Sequence, residues 1–94
     1  MAESMRSEVD QFSWRQGKFE LTVNRDGDHW RVLTTSSGRL FGPRQVLYDA
    51  RHRFAKHAAW DVMACVIRTT SSEEEGVRAG RSAARWMRDA GSSS

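Results

Sequence analysis

The chain has one cysteine, Cys65, which excludes an internal disulfide and any zinc site built from several thiolates. No stretch approaches the ~18 apolar residues of a membrane span. Met1 to Asp10 carries Glu3, Glu8 and Asp10 and lacks the apolar segment of a secretory signal. A reducing, cytoplasmic location is the expectation. Catalytic signatures are also missing: there is no HExxH, no G-x-S-x-G, no P-loop and no dinucleotide fingerprint. On a helix, His52 and His57 would point in different directions, and Cys65 within the apolar run from Val62 to Ile67 reads as a buried, protonated thiol. The expectation is a protein that is not an enzyme, with no cofactor, no metal, no small-molecule substrate and no membrane contact.

Enough apolar mass is present for one core. Hydrophobic residues make up 38% of 94, including four Trp, four Phe and one Tyr, and 29% are charged. Fifteen basic against 12 acidic residues give +3, a mild excess that does not by itself name a partner. Lys18 and Lys56 are the only lysines, so the basic character is almost all arginine. Residues 1–10 and 91–94 offer little to bury and read as flexible tails around a single domain over 11–90.

From Gln11 to Phe41 apolar and polar residues alternate: Phe12 and Trp14, then Phe19, Leu21 and Val23, then Trp30 and Val32. A two-residue turn at Asp26-Gly27 pairs Val23 with Trp30 and Leu21 with Val32. A second turn at Gln16-Gly17 pairs Trp14 with Phe19 and Phe12 with Leu21. Every large apolar side chain then falls on one face. A fourth short strand around Arg39 to Phe41 is the expected continuation.

The one proline, Pro43, suits the first turn of a helix. Leu47, Phe54, Ala58, Val62, Cys65 and Val66 recur at helical spacing and predict a helix from Pro43 to Arg68 that covers the sheet. Trp60, Met63 and Ile67 form a second stripe that calls for further cover. Ser72 with Glu75 has capping-box spacing and opens a second helix, Glu73 to about Ala90. Its apolar side, Val77, Gly80, Ala83, Ala84, Met87 and Trp86, is thin, which fits close packing through small residues or a dimer interface. The fold expected is a two-layer α+β domain: a three- or four-stranded antiparallel meander covered by a long helix, with a C-terminal helix alongside.

Three basic groupings are candidate sites. Arg78, Arg81, Arg85 and Arg88 follow at spacings of three, four and three. They suit either a track of phosphates or the solvated face of an amphipathic helix with Glu74 to Arg78 and Arg85 to Asp89 pairs. Arg53, Lys56, His57 and Trp60 combine cations with an aromatic. That set suits either phosphate holding with stacking, or a Trp60 that anchors the second helix under the stems of its neighbours. The sheet's other face carries Ser13, Arg15, Lys18, Glu20, Thr22, Asn24, His29, Arg31 and Leu33 and suits either a nucleic-acid groove or water. In element order alone, three strands then a helix resembles small DNA-binding domains of integrases and some transcription factors. His57 and Asp61 share a helix face and read as an ion pair.

Two functions follow as expectations. One is a small regulatory module that binds the DNA or RNA backbone through Arg53, Lys56, Trp60, Arg78, Arg81, Arg85, Arg88, Arg15 and Arg31. The other is a protein-interaction module, an adaptor, inhibitor or homodimer, joined through Trp60, Met63, Ile67 and the C-terminal helix.

Overall fold

The alternation from Gln11 onward does build strands. In a computed structural model that describes residues 11–37 and 43–92, the elements are β1 (Gln11–Gln16), β2 (Phe19–Asp26), β3 (His29–Ser36), β4 (Gln45–His52), α1 (Ala55–Thr70) and α2 (Glu73–Ser92). The strands form one antiparallel sheet in the order β1-β2-β3-β4. Both helices lie on one face, α1 over β3 and β4 and α2 over β1. This is the expected two-layer α+β meander with two helices. The described residues contain no helix long and apolar enough to cross a membrane.

Each of the first two turns sits one residue later than the Asp-Gly and Gln-Gly pattern implied. Val23 pairs with Val32 and Leu21 with Thr34, and Trp14 pairs with Leu21 and Phe12 with Val23. The turn residues are therefore Gly17-Lys18 and Gly27-Asp28. Glycine at the first position, at φ +60° and +66°, with a negative-φ residue after it, is the type II′ arrangement. Moving a turn by one residue slides the register by two, and side chains repeat every two, so the predicted faces survive.

The larger correction concerns the residues after Pro43. Gln45–His52 is not the first half of a helix but the fourth strand, and α1 starts at Ala55. A helix from Pro43 to Arg68 would be about 39 Å long, whereas eight-residue strands span about 27 Å, so its first turns would have overrun the sheet. Val46 and Tyr48 favour a strand, and Tyr48, Ala50 and His52 alternate toward the helices. The strand expected near Arg39 to Phe41, like the N-terminal tail at 1–10, lies outside the described residues. With β4 ahead of α1, the likeness in order to three-strand DNA-binding domains no longer holds. Leu47 is the extra residue of a bulge where the β3–β4 register shifts between Thr34 and Thr35, and it is 50% exposed. Phe54 is the residue before α1 and is 56% exposed. Neither Leu47 nor Phe54 belongs to the core.

The core is one cluster. Leu21, Val23, Trp30 and Val32 come from the sheet, Ala58, Val62, Cys65 and Val66 from α1, and Ala79, Ala83 and Met87 from α2. Each buried Val, Leu or Met contributes about 1.5–3 kcal/mol. Trp30 meets Trp86 edge to face, with centroids 5.8 Å apart, and Arg25 lies 4.8 Å over the Trp30 ring.

The helices form a tight antiparallel hairpin. Ser71, in the left-handed region at φ 62°, closes α1 by donating its N–H to Ile67 O at 2.6 Å. Ser72 Oγ accepts the Glu75 N–H at 3.1 Å, as the capping-box spacing predicted. A Cβ on Gly76 would lie 2.9 Å from Met63 O and would also meet the Ile67 side chain; one on Gly80 would lie 3.2 Å from Ala59 O and from Met63 Cβ. The thin side of α2 is thus a close-packing surface. Its members are Gly76, Ala79, Gly80, Ala83 and Met87, whereas Val77 is 38% exposed and faces solvent.

Candidate functional site

Three places could carry function: a polar cluster between β4 and α1, the open face of the sheet, and the outer face of the helices.

The polar cluster centres on Asp61. Tyr48 Oη donates to its carboxylate at 2.9 Å, His52 Nε2 lies 2.7 Å from Oδ2, and Cys65 Sγ is 3.9 Å from Oδ1. Asp61 thus pairs with His52, not with His57 as the helix spacing suggested, because strand β4 brings His52 under α1. Burial, aided by the neighbouring carboxylate, pushes the Tyr48 hydroxyl up to about 12 and the Cys65 thiol up to about 11. Both groups stay protonated near neutrality, which suits donors to a carboxylate and not nucleophiles. The cluster ties the edge strand to α1. Among the described residues no group of three or more His, Cys, Asp or Glu could hold a metal ion.

On the open sheet face the arginines are matched by acids. Arg31 makes a two-pronged contact with Asp49, 2.9 and 2.8 Å, which raises the guanidinium's pKa and lowers the carboxyl's. Arg15 meets Glu20 at 3.2 Å, Arg44 meets Glu20 at 3.5 Å and Thr35 Oγ1 at 2.9 Å, and Arg51 meets Asp26 at 3.0 Å. Arg44, just before β4, and Arg51 within it thus belong to this network on the sheet. The pairing follows from register, since Arg15 stands opposite Glu20 across the β1–β2 ladder. Arg15 and Arg31 therefore present little unbalanced charge.

The outer helical face differs. Trp60 is 70% exposed, so it does not anchor α2, and Met63 and Ile67 take that role against Gly76 and Gly80. The second stripe is consequently divided: two members are used inside the chain and one is left outside. The contacts of Gly80 with Ala59 and Met63, and of Gly76 with Met63 and Ile67, fix the interhelical register. That register sets Trp60 level with Arg81 and Lys56 level with Arg85. On the helical wheel Arg81, Arg85 and Arg88 lie opposite buried Ala79 and Ala83, while Lys56 and Trp60 lie opposite buried Ala58 and Val62. Five predicted site residues, from two helices, thus share the outer surface.

Charge on that surface is mostly unbalanced. Among the described residues Lys56, Arg81 and Arg85 have no carboxylate within ion-pair distance, and Arg53, in the bend before α1, reaches Asp28 only at 3.9 Å. Arg78 is held 3.2 Å from Glu75 and lines both the cleft between α2 and the Phe12 and Trp14 of β1 and the depression beside Arg81 and Arg85. Phe54, just before α1, and His57 and Trp60 on it are all exposed, with the Phe54 and His57 rings edge to face at 5.5 Å. An open depression of about 630 Å³ runs beside Arg81 and Arg85 toward Glu73 and Glu74. The sequence marked both halves of this surface. It could not show that they adjoin, because that depends on the glycine-set helix register. Compared with known proteins, the chain matches no family model, no curated protein and no solved structure.

Proposed function

We propose that this chain is a small non-enzymatic binding module whose outer helical face holds the phosphate backbone of a nucleic acid. The observation that carries the reading is an indole 70% exposed on the same outer side of the helix pair as Lys56, Arg81 and Arg85, cations that no acid of the described residues neutralises. Arg81, Arg85 and Arg88 span about 10 Å along α2, a spacing suited to consecutive phosphates. Each contact releases condensed counterions and steepens the dependence of affinity on salt.

The test is anisotropy of a labelled mixed-sequence oligonucleotide across a salt series. Replacing Lys56, Arg81 and Arg85 by Gln should flatten the slope of log K against log salt by roughly 0.7–0.9 per contact. Replacing Arg15 and Arg31 should leave it unchanged. Equal effects from the two sets would sink the assignment to the helical face.

A second reading is a homodimer through α2. Its support is the polarity of that helix, with Glu73, Glu74 and Glu75 in its first turn and Arg81, Arg85 and Arg88 further along, which makes it complementary to an antiparallel copy of itself. Light scattering over a concentration range decides it.

A further inference from the structure

We infer that the strand held on this face is single, with its phosphates on α2 and a base stacked on Trp60 of α1; the inference rests on the phosphate-binding reading above. The two helices divide the labour that such a ligand requires. Arg81 and Arg85 supply charge along α2, and Trp60, its indole 70% exposed, supplies a ring face on α1. Both helices turn these residues away from buried Ala58, Val62, Ala79 and Ala83, and Gly76 and Gly80 let the two backbones approach closely. A strand whose phosphates follow α2 can therefore bring a base to Trp60.

A duplex fits this surface less well. Its bases are stacked within the helix and present only edges in the grooves, so an exposed indole on the same side as the cations would meet sugar and phosphate, where its ring face has nothing to stack on. A single strand offers π-faces of any base, and stacking is tolerant of sequence, in keeping with a surface that has few groups for reading base edges. Arg53 in the bend before α1 and Lys56 in its first turn add positive charge at one end, while Glu73 and Glu74 at the start of α2 repel phosphate at the other. The strand is thus directed to the half of the hairpin where α1 begins and α2 ends.

The direction of the preference is diagnostic. Charge alone favours the duplex, whose denser phosphates give a slope of about −0.9 per contact against about −0.7 for single strands. Preference for the single strand at matched length runs against that expectation and requires stacking.

The experiment uses the full chain, a labelled single-stranded oligonucleotide and the duplex of the same sequence, over the same salt series. The single strand should bind at least tenfold tighter. Trp60→Ala should lose roughly 5- to 100-fold on the single strand with its salt slope unchanged, Trp60→Phe should retain most of the affinity, and neither should matter for the duplex. Thermal melting of each variant confirms that the fold is intact. If the duplex binds as well as the single strand and Trp60→Ala is neutral, while Gln at Arg81 and Arg85 still flattens the slope, the single-strand inference is overturned and the phosphate reading stands. If neither oligonucleotide binds at low salt, or if scattering shows a dimer in which Trp60 is shielded from acrylamide quenching, both are overturned.

Discussion

The two solvent-facing surfaces of this molecule are both rich in arginine and use it in opposite ways. On the sheet, Arg15, Arg31, Arg44 and Arg51 each meet a carboxylate between 2.8 and 3.5 Å away. On the helices, Arg81 and Arg85 meet none among the described residues. Composition does not distinguish them. The difference lies in how each element arranges neighbours: a sheet brings residues distant in sequence side by side, so that Glu20 lies opposite Arg15 and also reaches Arg44, and Asp49 and Asp26 reach Arg31 and Arg51 from neighbouring positions. A helix sets like residues three and four apart, and here that repeat is arginine.

The largest effect expected tests the layer between the two surfaces. Trp30, 7% exposed and packed on Trp86, should cost about 3–5 kcal/mol when truncated to Ala, whereas Trp60 should cost below about 1 kcal/mol. Urea unfolding of the two variants measures this, and similar costs would erase the distinction between a core and a surface indole. Next, Gly76→Ala should destabilise by about 1–3 kcal/mol by overpacking, even though Ala is about 1 kcal/mol better than Gly inside a helix. A gain in stability would show that the helices can part and that the register joining the two halves of the outer face is not fixed.

The Asp61 cluster holds β4 beneath α1, and truncating Asp61 to Ala should cost about 1–3 kcal/mol by leaving the Tyr48 hydroxyl without its acceptor. The cluster also sets an alkaline limit. Tyr48 rises from 10 to about 12 and Cys65 from 9 to about 11, so the folded chain holds both protons more tightly than the unfolded one. Their contribution is complete below about pH 9 and declines as pH rises toward 12. Denaturation midpoints should fall over that window, and Tyr48→Phe should remove the upper part of the decline; an unchanged profile in that variant would refute the assignment.

The smallest effect bears most directly on the comparison. Arg31→Gln should lower the melting temperature slightly at low salt and match the parent at high salt, since it breaks an exposed pair with Asp49. Arg81→Gln should instead stabilise slightly, by about 0.2–0.5 kcal/mol, because Arg81 stands between Arg78 and Arg85 at spacings of three and four. Opposite signs for the same substitution would confirm that the two faces carry their charge differently, and equal signs would remove the contrast.

Local rules were enough to read much of this chain. Period-two alternation identified β1 to β3 and their apolar face, even with each turn misplaced by one residue, because the error cancelled over two. The Ser72–Glu75 spacing located the start of α2, and the apolar repeat through Ala58, Val62, Cys65 and Val66 identified the covering side of α1. The same repeat misled at Leu47 and Phe54, where spacing by seven coincided with a bulge and a helix entry; periodicity holds no information about the length of the sheet that a helix must match.

The sequence by itself determined which residues alternate, which helix carries arginines and which faces are apolar, since these depend on spacing along a single element. Only the tertiary structure decided that Asp61 takes His52 instead of His57, that the sheet's arginines meet carboxylates, and that Trp60 and Arg81 share one outer face. Each of these depends on which elements pack together and in what register. Register is fixed by contacts such as Gly80 on Ala59, between residues far apart in sequence, whose energy is gained only once the whole core has closed.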